Sequence, residues 1–195
     1  MADVDFSLNL AKQVEELRKA GGWPAEDALN RLTAQLAMGF KAKKEEVAIL
    51  RLSPDGKMIS FIFPVKLSKI GAIPLTTTHS LAAKNIREKR GEVVNNFSVY
   101  KHPTVFESVD LSTDEKAAPI QKIVSAPMIV DGKVVGVIQV SRKAKPGDPV
   151  GPDFTPKDVA DLATVGTILG NYVATLPAVA PGAPKHPPAQ PAKTS

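Results

Sequence analysis

Between Ile120 and Lys143 the chain reads IQKIVSAPMIVDGKVVGVIQVSRK, two runs rich in valine and isoleucine on either side of Asp131-Gly132. Both central residues of a type I′ turn need φ > 0, and an Asp-Gly pair between β-branched runs meets that need, so the stretch predicts a β-hairpin. Strict alternation puts Val135 and Val137 on one face of the second strand and Val134, Ile138 and Val140 on the other. Neither face carries the charges of a solvated surface, so both are expected to be covered. A strand pair covered above and below belongs at the heart of a sheet. With 195 residues the chain is long enough to build the layers around it as one domain.

The flanking segments supply those layers. Asp3 to Ala20 predicts a helix with Leu10, Val14 and Leu17 along one stripe, ended by Gly21-Gly22. A second helix starts at Pro24 and runs to Gly39 with Leu29, Leu32 and Leu36 on its buried side. Glu46 to Leu52 and Met58 to Phe63 read as strands joined by the turn Ser53-Pro54-Asp55-Gly56. His79 to Arg90 reads as a helix capped by Thr78 and ended by Gly91, and Glu92 to Asn95 as a short edge strand. From Asn96 to Pro119 no period is sustained, and a connection that long is expected to be functional or mobile. Thr155-Pro156-Lys157-Asp158 opens a last helix, with Thr155 as N-cap and Phe154 stapled onto Val159. Val159, Leu162, Ala163, Gly166, Leu169, Val173 and Leu176 form its apolar face, and Gly166 and Gly170 imply a second backbone passing close by. The Pro-rich tail 177–195 is expected to be disordered.

Composition removes several classes of function. The chain has no cysteine, which excludes disulfides, thiolate metal sites, cysteine nucleophiles and thioether-held cofactors. His79 and His102 have no second imidazole or carboxylate at ligand spacing, so neither a metal nor haem is expected. No Gly-x-Ser-x-Gly elbow and no phosphate-cradling glycine loop is present, and the chain does not read as an enzyme. The N-terminus lacks the features of a secretory signal, and the apolar stretch Leu162 to Leu176 is broken by Thr164, Thr167 and Asn171. A cytoplasmic protein with no membrane contact is therefore expected. The net charge of +5 is scattered, from Lys41, Lys43 and Lys44 through Lys84, Arg87, Lys89 and Arg90 to Arg142, Lys143 and Lys145, which reads as solvated surface; nucleic-acid binding through the Lys84 to Arg90 helix is the lesser alternative.

Taken together the segments resemble the GAF domain, the small sensory module of phytochromes, phosphodiesterases and many bacterial regulators. The resemblance spans Ala25 to Leu176, with residues 1–22 as an added N-terminal helix and 24–176 as the core of a single domain. It is densest in IPLTTTHSLAAKNIREKRGEVV (Ile73 to Val94), FESVD (Phe106 to Asp110) and SAPMIVDGKVVGVIQVSRK (Ser125 to Lys143) with the helix opened by FTPKD. The resemblance implies an α+β sandwich. A central antiparallel sheet of five to six strands carries the N- and C-terminal helices on one face, and on the other a ligand pocket roofed by the middle helix and long loop. Proline at Pro127 is similar to what the family carries inside this strand, which implies a bulge or a non-bonded position there.

By the family's layout the pocket walls are Phe61, Thr77, Leu81, Asn96, Phe97, Tyr100, Phe106, Ser125 and Gln139. The resemblance implies binding of a small molecule of unknown identity, with no cofactor. The family's bilin-carrying and methionine-sulfoxide-reducing members need cysteine. Its cyclic-nucleotide set is matched in part by Asn96, Lys101, Phe106 and Asp110, without a final glutamate. The expected role is a stand-alone sensor in signal transduction that passes a ligand-induced change to a separate signalling protein, and that forms a homodimer through its terminal helices. The alternative is a ligand-free dimerisation or scaffold module in which Gly166 and Gly170 let those helices approach across the interface.

Overall fold

Asp131 and Gly132 take φ values of 48° and 75°, the mirror-image turn that their types allow, and close a hairpin of β5 (Ile120–Val130) and β6 (Lys133–Lys143). The computed structural model describes residues 4–69, 71–97 and 118–178. In chain order the other elements are α1 (Val4–Ala20), α2 (Glu26–Gly39), β1 (Val47–Leu52), β2 (Met58–Phe63), the single turn α3 (Val65–Ser68), β3 (Ala72–Pro74), α4 (Leu81–Glu88), β4 (Glu92–Val94) and α5 (Pro156–Val173). The strands form one six-stranded sheet in the order β3-β2-β1-β6-β5-β4, antiparallel at every pairing. The valine-rich hairpin is therefore internal, with β1 beside β6 and β4 beside β5.

Each face of the sheet is covered by a different layer. On one face Val47, Val124, Met128, Ile138 and Val140 pack under α1, α2 and α5, through Leu10, Val14, Leu32, Leu36, Leu162, Leu169 and Val173. On the other, Leu50, Ile59, Phe61 and Val137 meet Leu67 of α3, Ile73 of β3 and Ala82 and Ile86 of α4. One detail of the alternation differs from the sequence reading. Met128 pairs with Gly136 and Ile129 with Val134, which leaves Val135 as an extra residue on β6. Such a bulge reverses the parity of everything beyond it. Val135 consequently packs on the helix side with Ile138, and Val134 on the α4 side with Val137, the opposite of strict alternation. Pro127 lies next to this bulge, past Ser125 where the pairing with β4 ends, so its missing donor can face the unpaired edge.

Helix ends account for the remaining corrections. α4 starts at Leu81 because Ser80 reaches the backbone: its Oγ accepts from Ala83 N at 3.2 Å, leaving Thr78 and His79 outside the helix. Lys89 ends it in the left-handed region (φ 51°), with its N–H turned back to the carbonyls of Asn85 and Ile86, so Gly91 is not needed as terminator. α2 begins at Glu26, with Pro24 before its N-cap. α5 opens as expected: Thr155 N donates to Asp158 Oδ2 at 2.7 Å and Thr155 Oγ1 accepts from Asp158 N at 3.4 Å. Its inner face includes Val165 and Tyr172, whereas Ala163 points outward. A Cβ on Gly166 would lie 3.2 Å from Pro127 O, and one on Gly170 would lie 2.9 Å from Val130 Cγ2. Gly166 thus admits the backbone of β5, and Gly170 admits side chains of β5 and β6, all within the same chain.

Candidate functional site

The two layers leave a space on the α4 face of the sheet. A cavity of about 110 Å³ lies between the sheet and the N-terminal end of α4. Its floor is strand: Leu50 and Ala48 of β1, Phe61 of β2, Ile123 of β5 and Gln139 of β6. Leu67 and Ile73 close one side, Leu81 and Ala82 form the roof, and Phe97 closes the side beyond β4. These positions follow from the folding pattern. Leu50, Phe61 and Val137 share the sheet face away from the large helices, and Ser80 starts α4 where Leu81 and Ala82 look down on it.

The polar groups of the cavity are concentrated at one rim and at one point of the floor. At the rim Glu46 is buried, and its carboxylate accepts from Lys43 N at 2.8 Å and Lys143 N at 2.7 Å. Ser141 Oγ donates to Glu46 O at 3.1 Å, and Lys143 Nζ donates to Glu45 O at 2.9 Å. In the floor Gln139 Nε2 donates to Ser125 Oγ at 3.0 Å; Ser125 is fully buried behind it. An apolar chamber with a few oriented polar groups is the usual form of a small-molecule site. These hydrogen bonds hold the carboxylate, hydroxyl and amide in place, an arrangement suited to orienting a guest.

A family description of the GAF domain matches residues 24–173. The chain belongs to the GAF family. Members are sensory and regulatory domains, and the solved GAF structures share this architecture. The chain is similar to the GAF domain of a phosphoenolpyruvate-protein phosphotransferase from Acinetobacter, at 17% identity, 89% of this chain, 95% of that one and a TM-score of 0.57. The corresponding domain from Coxiella burnetii gives 14%, 88%, 95% and 0.58. The free methionine-R-sulfoxide reductase of Neisseria meningitidis, solved with its substrate, gives 14%, 85%, 86% and 0.54. At these identities the likeness is one of fold. No curated protein matches the sequence.

Of the wall residues expected for this GAF domain, Phe61, Leu81, Phe97 and Gln139 line the cavity, and Ser125 supports Gln139 from behind. Thr77 stands off it, in the link between β3 and α4, where its carbonyl accepts from Arg87 Nη1 at 3.1 Å. Asn96 is exposed and not in the wall. Tyr100 and Phe106 lie outside the described residues, as do Lys101 and Asp110 of the partial cyclic-nucleotide set. The sequence reading passed over the Glu46, Ser141 and Lys143 rim and the apolar contributions of Leu50, Leu67 and Ile73. Leu50 and Leu67 carry no local mark of a pocket, whereas a glutamate at the head of an apolar strand was a readable signal.

The basic helix considered for nucleic acid is largely engaged within the GAF domain. Lys84 pairs with Glu92 at 2.6 Å, Arg87 Nη1 donates to Leu75 O at 2.6 Å, and Lys89 Nζ donates to Gly132 O at 3.3 Å. Among the described residues no group of three or more histidine, cysteine, aspartate or glutamate side chains could hold a metal, and no helix is long and apolar enough to cross a membrane.

Proposed function

We propose that the chain is a sensor that holds a small, mostly apolar molecule in the cavity under α4 and signals its presence through β1. The observation that carries this reading is the chamber itself: about 110 Å³, apolar in floor and roof, with hydrogen-bonded polar groups at fixed points. A cavity of about 150 Å³ can hold benzene, so this smaller one suits a guest of about four to six heavy atoms. A guest that small binds with an affinity of about millimolar to tens of micromolar. Binding without catalysis is supported by the polar groups' engagement with backbone and with one another.

The route outward runs along β1. Leu50 lies on the cavity side, and the next residue, Arg51, points to the helix side. Its Nη2 donates to Leu176 O at 2.6 Å, its Nη1 donates to Pro177 O, and its guanidinium lies 5.9 Å from the centre of the Trp23 ring. Burial pushes the Arg51 pKa down from its ordinary value, so this contact is partly desolvated. A displacement of β1 is therefore felt where α5 ends and where α1 joins α2, the places from which a separate signalling protein would read it.

Methyl-detected NMR of the protein titrated with cyclopentanol tests the reading. Saturable methyl shifts confined to Leu50, Leu67, Ile73 and Leu81 are expected, with smaller shifts of the Trp23 indole N–H in nitrogen-correlated spectra of the same titration. Shifts scattered over the surface, or none at these methyls, would overturn it.

A further inference from the structure

We infer that the cavity takes a small aliphatic amine, held as its ammonium against the Glu46 carboxylate with its alkyl body over Ala48. The inference rests on the small-molecule reading above and adds the guest's chemistry to it. Glu46 lines the cavity and is 7% exposed. Both partners of its carboxylate are backbone amides, Lys43 N and Lys143 N, and none of the ion pairs among the described residues includes it. Buried charges are ordinarily matched by an opposite charge. Here the unmatched carboxylate stands in the wall of a chamber, where a cationic guest can supply the match.

Strand register separates the head of the guest from its body. Val47 pairs with Val140 and Ser141 Oγ donates to Glu46 O, so Glu46 and Ser141 stand side by side at one end of the floor. Two residues along β1, about 6–7 Å, Ala48 pairs with Gln139, and two beyond that Leu50 pairs with Val137. Glu46, Ser141, Ala48, Gln139 and Leu50 all line the cavity, so its floor runs from a carboxylate to aliphatic carbon. Ala48 in the floor and Ala82 in the roof are the smallest side chains of the wall. They leave the room that a body of about four carbons fills.

Hydrogen-bond capacity points the same way. Three donors of the wall are engaged: Gln139 Nε2 on Ser125 Oγ, Ser141 Oγ on Glu46 O and Lys143 Nζ on Glu45 O. The Glu46 carboxylate accepts one bond on each oxygen where such a group offers about four sites, and Ser141 Oγ can accept as well. An ammonium brings three donors and no acceptor, the complement of those groups. The formal charge of the wall agrees, with Glu45 and Glu46 against Lys143. A carboxylate guest would enter against that negative balance, and a neutral alcohol would leave it unmatched.

The test titrates isobutylamine, isobutanol and isobutyrate, which share one branched skeleton, into wild type and Glu46→Gln near neutral pH. Methyl NMR reads affinity, and nitrogen-correlated spectra follow the Lys43 and Lys143 N–H groups that touch the carboxylate. Wild type should bind isobutylamine at least about tenfold more tightly than isobutanol, the worth of one charge-assisted hydrogen bond in a buried site, and isobutyrate more weakly than either. The two backbone amides should shift saturably with isobutylamine and stay in place with isobutanol. Glu46→Gln should bring amine and alcohol to within about threefold of each other. Where that variant is too unstable to fold, the two amides of wild type decide the question. Equal affinity of wild type for amine and alcohol, amides unmoved while the amine binds, or a folded Glu46→Gln that keeps the tenfold preference would each overturn the role of Glu46, with the cavity reading still standing on isobutanol. If none of the three probes perturbs the cavity methyls of wild type, the sensor reading fails and this inference with it.

Discussion

Replacing Glu46 by Gln tests whether one carboxylate ties the start of β1 to the end of β6. The residue is 7% exposed, and each oxygen has one backbone donor: Lys43 N on Oε2 at 2.8 Å, Lys143 N on Oε1 at 2.7 Å. Glutamine has nearly the same shape but only one acceptor. Whichever way its amide turns, one backbone N–H meets an NH₂ group and is stranded. A hydrogen bond to a charged group contributes about 1.5–3 kcal/mol and a stranded buried donor costs about 1–3 kcal/mol. The two effects overlap, so the expected loss is about 2–4 kcal/mol, a large part of the ordinary stability of a single domain. Urea unfolding followed by far-UV circular dichroism would show the midpoint falling by about 1–2 M at a slope of about 2 kcal/mol per M. Hydrogen exchange should show Lys43 or Lys143 losing protection while the amides of β5 keep theirs relative to global unfolding. A midpoint within about 0.3 M of wild type, with both amides still protected, would refute the tie.

Two further substitutions probe the sheet and the helix layer. A Cβ on Gly136 would lie 2.2 Å from Leu50 O and 2.6 Å from Met128 Cε, so Gly136→Ala must push β6 from β1. A destabilisation of about 3 kcal/mol or more is expected by calorimetry, and one under about 1 kcal/mol would show that the strands part freely. Burial raises the Tyr172 hydroxyl from 10.0 to about 12. Below pH 10 it is neutral in folded and unfolded chains alike, but between about 10 and 12 only the unfolded chain ionises, so stability falls as pH rises through that window. The loss approaches about 2–3 kcal/mol, and Tyr172→Phe should remove it. Equal drops in urea midpoint from pH 9 to 11.5 for wild type and Tyr172→Phe would contradict this.

The elements most legible in the sequence were those specified by neighbours a few residues away. The Asp131-Gly132 turn, the Thr155-Pro156 helix start and the alternating hairpin strands are short-range devices whose dihedrals and caps the residue types dictate. Where two local signals competed, the reading slipped. Thr78 and Ser80 are both good caps, and only the approach of α4 to the sheet makes Ser80 the one used. The parity of Val134 and Val135 was invisible because the bulge arises between two strands, and no residue in VVGV announces it by itself.

The site shows the same division. Phe61, Leu81, Phe97 and Gln139 were placed at the cavity through the family resemblance, not through any pattern of their own, and Thr77 and Asn96 belong to the same segments but turn elsewhere. By itself the sequence determined a buried two-sided hairpin and the caps and turns of most elements, because these depend on backbone preferences and on the solvation of each face. The tertiary structure alone decided that Gly166 and Gly170 admit β5 of the same chain, that the Glu46 carboxylate meets Lys143, 97 residues further along, and that the buried Asn85 amide has no hydrogen-bond partner among the described residues. Each of those depends on which surfaces meet across long stretches of chain, and hydrogen-bond balance at such a meeting is a property of both surfaces together, unreadable in either one.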